Sequence, residues 1–137
     1  MAIVALALTI SACGDSGGDS PPASNASKAD LQAAVDGLQK SMASGKPAAI
    51  CAHLTARGQA ATIKDIGSGA NCEEAVATLV EAYGKNLHTT VEVTAVKGSG
   101  DRASATIRAE TGNRYTSRFV KEGGRWKLDQ SLTAGAA

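Results

Sequence analysis

Few side chains in this sequence can carry acid–base chemistry, and the apolar segments around them decide which of these can be buried. His53 lies two residues after Cys51 and directly before Leu54. It can therefore sit at the edge of a buried helical face, either as a general base at the mouth of a pocket or as a partly exposed helical histidine, and we favour the second.

His88 falls where the last helical pattern meets the first strand pattern, and a cation is mildly favourable near the negative end of a helix dipole. We predict that His88 has this capping role.

The aromatic side chains Tyr83, Tyr115 and Trp126 complete the candidate pocket that begins with His53. The two tyrosine hydroxyls can face a ligand, or they can belong to core residues whose hydroxyl reaches solvent or a backbone group. The second arrangement is the commoner one for a tyrosine on an apolar face. These four residues are the candidate pocket residues of the sequence.

The carboxylates offer no arrangement for catalysis. Those of the strand region fall on solvent-facing or turn positions: Glu92, Glu110, Glu122 and Asp129. An inward-facing pair of carboxylates for general acid–base catalysis is therefore not expected. The motifs of serine hydrolases, zinc proteases and phosphate-binding loops do not occur in the sequence. We assign no catalytic residue, and we favour a protein that is not an enzyme.

Metal and cofactor chemistry also has little support. The closest approach to a metal-binding spacing is Cys51-Ala52-His53, in which the two ligand-type side chains would point to different faces of a helix. We therefore expect no metal ion and no cofactor.

The first cysteine, Cys13, follows an apolar run from Ala2 to Ile10. This run is shorter than the roughly 20 apolar residues that span a bilayer, but it has the length of a signal-peptide core, about 7–15 residues. The residues Ile10-Ser11-Ala12-Cys13 resemble the bacterial lipobox. The resemblance implies that residues 1–12 are a signal peptide and that Cys13 becomes the lipidated first residue of a protein on the outer face of the cell membrane. The alternative is an apolar N-terminal strand with a buried cysteine. Because no Lys or Arg precedes the run, we expect the translation start to lie further upstream.

Lipidation of Cys13 would leave Cys51 and Cys72 as an even pair. An exported protein meets an oxidising compartment, so we predict a disulfide between them that closes a loop of about 20 residues. The chain-entropy model gives such a loop roughly 3 kcal/mol of stabilisation. Two buried free thiols are the alternative.

The segment that follows the lipobox contains no large apolar side chain to bury. From Gly14 to Ser27 it consists of Gly, Ser, Asp, Pro, Ala and Asn only. We predict a disordered tether over residues 13–27 and one folded domain over residues 28–134.

The charge distribution separates possible partners. The net charge of +1 argues against a nucleic-acid partner, since phosphate neutralisation needs a basic excess. The strand region is more basic, with eight Lys and Arg against five Asp and Glu over residues 91–129. Arg108, Arg114 and Arg118 can share an outer sheet face that attracts anionic lipid headgroups, cell-wall polymers or an acidic protein. A solvated face that keeps the sheet soluble is the alternative that we favour.

The first half of the chain has the apolar spacing and the boundary residues of four helices. Leu31, Val35, Leu38 and Met42 recur at helical spacing between a capping Ser27 and Gly45. Pro47 suits the first turn of a second helix, and Thr55 caps a third that runs to Ile66. Asn71 caps the fourth, whose predicted apolar face consists of five residues: Cys72, Val76, Leu79, Val80 and Tyr83.

From Thr89 onward the apolar period changes to two, which is typical of strands. Turn signals at Gly98–Asp101, Glu110–Asn113 and Glu122–Arg125 divide this region into a meander of four antiparallel strands. The predicted inward series contains many alanines: Ala95, Ala103, Ala105 and Ala109. Side chains this small require either that the helices approach closely or that a cavity remains.

Helices followed by an antiparallel sheet predict an α+β fold with the helices on one face of the sheet. Four stretches resemble the nuclear transport factor 2-like superfamily, the cystatin-like α+β roll, in the form found in small actinobacterial lipoproteins: Ile50–Thr55, Asn71–Val76, Gly100–Ile107 and Phe119–Leu128. The resemblance covers Ala29 to Leu132 and implies a cone-shaped roll. It implies little about function, because the roll hosts dehydratases, isomerases, cyclases and members without chemistry.

We therefore expect a membrane-anchored module that binds a small apolar ligand or an envelope protein, through the cone or through the sheet face. One alternative is a dehydratase- or isomerase-like enzyme with a reduced site around Tyr83, Tyr115 or His53. The other is an accessory subunit of an envelope complex. Homodimerisation through the sheet face is compatible with the module and with the subunit.

Overall fold

The computed structural model describes residues 26–87 and 89–134. The predicted signal peptide, Cys13, most of the tether and His88 lie outside these residues. The chain order is α1 (Lys28–Ser44), α2 (Pro47–Cys51), α3 (Ala56–Ile66), α4 (Cys72–Tyr83), a 3₁₀ turn (Gly84–Leu87), β1 (Val91–Ser99), β2 (Arg102–Ala109), β3 (Arg114–Glu122) and β4 (Arg125–Leu128). The predicted α+β class, with helices followed by a four-stranded antiparallel sheet, is confirmed.

The helices begin and end where local chemistry favours it. Ser27 and Asp30 form a capping box at the start of α1, and Gly45 ends the helix in the left-handed conformation at φ 66°. The side chains of Thr55 and Asn71 accept hydrogen bonds from the first turns of α3 and α4. The predicted helix starts are therefore present.

The four strands pair in sequence order, each antiparallel to the next. Their inner face contributes Ala103, Ala105, Ile107 and Phe119 to the buried core. One part of the predicted alternation is wrong. The register shifts between Val93 and Ala95, so that Val96 pairs with the inward Ala105 and Ala95 is exposed. A bulge of this kind adds one residue to a strand and reverses the faces beyond it.

Residues of the helical half form hydrogen bonds to part of each edge of the sheet. On the β1 edge, the Gln32 side-chain amide donates to the carbonyl of Val91 and accepts from the amide of Val93, at 3.2 and 2.7 Å. On the β4 edge, the amide of Leu128 donates to the carbonyl of His53, and the amide of Thr55 donates to the carbonyl of Leu128. Covered edges protect the sheet from pairing with other chains.

The helices are further tied to one another by the predicted disulfide, which is present. Cys51 at the end of α2 and Cys72 at the start of α4 are bonded, with their Cα atoms 6.1 Å apart.

The sheet, the helices and the buried core all lie within residues 26–134. A chain that begins at Gly14 therefore keeps every contact described here. None of the described helices has the length and apolar character needed to cross a bilayer.

The end of β4 differs from the sequence prediction, because Asp129 is buried rather than solvent-facing. Its carboxylate accepts a hydrogen bond of 2.6 Å from the hydroxyl of Thr55, which itself accepts from the amide of Gly58. Gly58 is buried against the chain after β4, and a Cβ at this position would lie 2.6 Å from the carbonyl oxygen of Leu128. The close packing of α3 on residues 128–130 therefore requires glycine at this position.

Candidate functional site

A cavity of about 270 Å³ lies between α1, the inner face of β2 and β3, and the segment that follows β4. We call this space the cone. Its walls are mainly apolar and include Val35, Leu38, Met42, Ile107, Phe119 and Leu132. The cone is partly open to solvent, and Ala109 on the sheet is one of the small side chains that leave room for it.

A fixed polar pair lines the cone among these apolar walls. Ser117 and Gln130 are both buried, and the Gln130 side-chain amide lies 3.4 Å from the Ser117 hydroxyl. The Gln130 carbonyl accepts from the backbone amide of Arg118 at 3.0 Å, which orients the side chain. A ligand atom in the cone would therefore meet a preset hydroxyl and amide, an arrangement that gives orientation to ligands held mainly by apolar contact.

Tyr115 is the one ionisable side chain among the described residues that line the cone. Burial raises the pKa of its phenol, because desolvation disfavours the phenolate. At neutral pH the group is therefore a neutral hydroxyl that can donate or accept a hydrogen bond. Within the described ranges, the structure gives this hydroxyl no protein partner, so it is available to a ligand.

The other three candidate pocket residues lie away from the cone. Tyr83, predicted on the apolar face of α4, is instead 57% exposed, since the buried residues of this helix end at Leu79. Trp126 packs half-buried at the edge of the core, with the Lys121 ammonium 5.9 Å from its ring centre. His53 follows α2 and points toward α1. Of the four, only Tyr115 contributes to the cone.

His53 contacts α1 through two residues that are one helical turn apart. Its Nε2 lies 2.9 Å from the hydroxyl of Ser41, within hydrogen-bonding distance. Gly37 leaves space for the ring, since a Cβ there would lie 3.1 Å from the ring atom Cε1. Burial lowers the pKa of the imidazole, and the charges of Arg125 and Lys127 add to the effect. The ring is therefore neutral at pH 7 and joins α1 to the segment before α3.

The sequence analysis did not identify Ser117 and Gln130, the two buried polar residues of the cone. Ser117 was recognisable, because it is a polar residue at the inward position between Tyr115 and Phe119 in the period-two pattern. Gln130 carried no such signal, because it lies beyond the last strand and its burial depends on packing against α3. Within residues 26–87 and 89–134, no group of three His, Cys, Asp or Glu side chains is arranged to hold a metal ion.

No family model matches the chain, and no curated protein sequence matches it significantly. Four chains of solved structures match it. One is a crystal structure from Xanthomonas campestris, assigned to a calcium/calmodulin-dependent protein kinase II association domain. It is 15% identical to this chain with a TM-score of 0.47, over 78% of this chain and 88% of that one.

The lowered pKa of His53 predicts a pH dependence of stability. The unfolded chain, with a histidine pKa near 6.5, binds a proton more readily than the folded one. The stabilisation is therefore complete above pH 6.5 and is lost as the pH falls through the lowered folded-state pKa. We expect the urea concentration at which half of the protein is unfolded to be lower at pH 5 than at pH 7.5. In His53→Gln this difference between the two pH values should be smaller.

Ser41→Ala is the matched control, since it removes the hydrogen bond but keeps the imidazole, and the pH dependence should persist. Equal pH dependence in the wild type and in His53→Gln would show that the histidine does not contribute.

Proposed function

We propose that this chain is a lipid-anchored extracytoplasmic protein of the nuclear transport factor 2-like roll, and that its cone binds a small, mainly apolar ligand without transforming it. The observation that carries the binding function is the cone itself. It is an apolar cavity with a few polar groups fixed in its wall, and this combination is the usual form of a small-molecule site. The assignment to the superfamily rests on the element order and on the residue stretches quoted from the sequence.

The volume of the cone limits the ligand. A volume of about 270 Å³ is slightly below the usual range of ligand sites, about 300–1,000 Å³. At about 30 Å³ for each water in the liquid, it holds a molecule of roughly ten non-hydrogen atoms. A short alkyl chain or a single ring with one hydroxyl or carbonyl group fits both the size and the wall chemistry. Tyr115 and the pair of Ser117 and Gln130 would bind its polar group.

Binding without catalysis is supported by the ionisable groups near the cone. A dehydratase or an isomerase needs a base near the ligand. The raised pKa makes Tyr115 a poor base at neutral pH, and His53 bonds to Ser41 outside the cone. The described lining therefore favours a ligand that is held and released.

A titration with 1-octanol, an alkyl chain with one hydroxyl, tests the cone. We expect octanol to shift the backbone amide resonances of Tyr115, Ser117 and Phe119 in the chain that begins at Gly14. Ala109→Leu places a larger side chain in the wall and should weaken binding at least tenfold. Thr106→Leu makes a similar change on the outer face of the same strand and should leave binding unchanged.

Circular dichroism of both variants would confirm that they are folded before their affinities are compared. Octanol shifts that avoid the cone, or an Ala109→Leu variant that binds as tightly as the wild type, would contradict a ligand site between α1 and the sheet.

Anchoring of the protein is supported by the lipobox-like residues and by the disulfide. The bond between Cys51 and Cys72 is typical of an oxidising compartment. It also accounts for two of the three cysteines in the sequence, and Cys13 is the third. A diacylglycerol on Cys13 would hold the domain at the outer face of the cell membrane.

Metabolic labelling with an alkyne fatty acid tests the anchor, with the protein expressed from its own gene locus so that its natural start is kept. We expect the wild type to be labelled and to sediment with membranes. Cys13→Ala should be unlabelled, because it has no thiol to receive the lipid. The doubly substituted Cys51→Ala/Cys72→Ala chain is the control and should remain labelled. A wild type without label would exclude the anchor.

A further inference from the structure

The outer face of the sheet, opposite the helices, carries a dense array of cations. We call it the basic sheet face. The strand register places seven Lys and Arg residues on it: Lys97, Arg102, Arg108, Arg114, Arg118, Arg125 and Lys127. Two carboxylates share this face, and each is already paired, Glu92 with Arg108 and Glu122 with Lys127. Five of the cations form no ion pair with a described carboxylate.

These charges are spread over all four strands rather than gathered at one point. Neighbouring strands lie about 4.8 Å apart, and alternate residues on a strand about 6.7 Å apart. Short hydroxyl side chains occupy the positions between the cations, namely Ser104, Thr106 and Thr116. The result is a broad face of exposed guanidinium groups separated by hydroxyls. Such a face complements a planar anionic surface better than a small ligand, which would contact only a few of the charges.

One end of the basic sheet face contains a notch of about 340 Å³, whose polar lining consists of Arg102, Arg118, Ser104 and Ser99 of the sheet, Arg57 of α3 and Asp129 after β4. Arg57 is partly neutralised, because its guanidinium lies 3.9 Å from the carboxylate of Asp129. Arg102 and Arg118 have no such partner in the part of the chain that the structure describes. Both residues line the notch, and a guanidinium group can donate two charge-assisted hydrogen bonds to one phosphate.

We propose that the basic sheet face docks on the anionic phospholipid headgroups of the membrane that carries the lipid anchor, with a headgroup phosphate between Arg102 and Arg118. The proposal rests on the anchor part of the proposed function and is independent of the cone. Charge complementarity over a broad face identifies the occupant as a membrane surface. Of the helices, only the start of α3 reaches this face, through Arg57 at the notch.

The predicted tether strengthens this assignment. A flexible chain of about 14 residues has an end-to-end distance of roughly 20 Å, so a lipid on Cys13 would keep the domain close to the bilayer. The tether would convert headgroup binding into an intramolecular step with a high effective concentration. One lipid group combined with a basic surface is a usual route to stable membrane attachment.

Vesicle sedimentation with the chain that begins at Gly14 tests the proposal without the anchor. We expect binding to vesicles of phosphatidylcholine and phosphatidylglycerol (7:3) in 50 mM NaCl, no binding to pure phosphatidylcholine, and loss of binding in 0.5 M NaCl. Arg102→Gln/Arg118→Gln should weaken binding at least tenfold. Lys28→Gln/Lys40→Gln removes the same charge from exposed positions of α1 and should change binding by less than twofold.

Several outcomes would overturn the proposal. Absence of binding to the anionic vesicles would do so, as would an equal loss in the Lys28→Gln/Lys40→Gln control, which would indicate a general charge effect. If inorganic phosphate shifted the resonances of Arg102 and Arg118 while vesicles did not bind, the notch would serve a soluble phosphate compound. Binding to a soluble polyphosphate without vesicle binding would identify a wall polymer as the partner. Fatty-acid labelling of the full chain tests the anchor separately, so failure of docking and failure of the anchor remain distinguishable.

Discussion

The buried hydrogen bond from the hydroxyl of Thr55 to the carboxylate of Asp129 joins the two halves of the molecule. Thr55 caps α3 and also donates its backbone amide to Leu128, so the helix start, the sheet edge and the chain after β4 meet at one residue. Leaving a buried polar group without its hydrogen-bond partner destabilises a fold by about 1–3 kcal/mol. Thr55 and Asp129 are therefore held in contact with each other. The segment after β4 is thereby held along α3, where the amide of Leu132 donates to the hydroxyl of Thr62. This path brings Gln130 to the inner end of the cone.

The cone is a consequence of how the helices are held. Gln32 attaches α1 to the β1 edge, the disulfide ties α2 to α4, and the contact of Thr55 with Asp129 holds α3 at the opposite edge. Of the alanines on the inner face, Ala109 lines the cone, where a larger residue would fill part of the space. Its small side chain and that of Ser117 therefore leave room between α1 and the sheet. The same arrangement leaves the outer face uncovered, with its basic residues in solvent.

The features that follow from local chemistry were predictable from the sequence. Helix caps at Ser27, Thr55 and Asn71 depend on a few neighbouring residues, and the strand alternation depends on a period of two. The features that were missed depend on distant contacts. Asp129 is buried because of a threonine 74 residues away, and the bulge after Val93 reverses the faces of β1 without a distinctive residue to mark it. The cone could be expected only as one of two outcomes, because alanines on a strand do not indicate how closely a helix will approach. Tyr115 was identified from its inward position, whereas Gln130 required the folded path of the chain.

Native mass spectrometry of the protein taken from its own envelope would show whether the cone holds a small molecule in the protein's natural setting. We expect a mass that exceeds that of the covalent chain by the mass of a small ligand, and this ligand should dissociate on collisional activation. This mass should be absent from Ala109→Leu and present in Thr106→Leu. A wild-type protein that has the mass of the covalent chain alone, as expected for Ala109→Leu, would show that the cone holds no ligand.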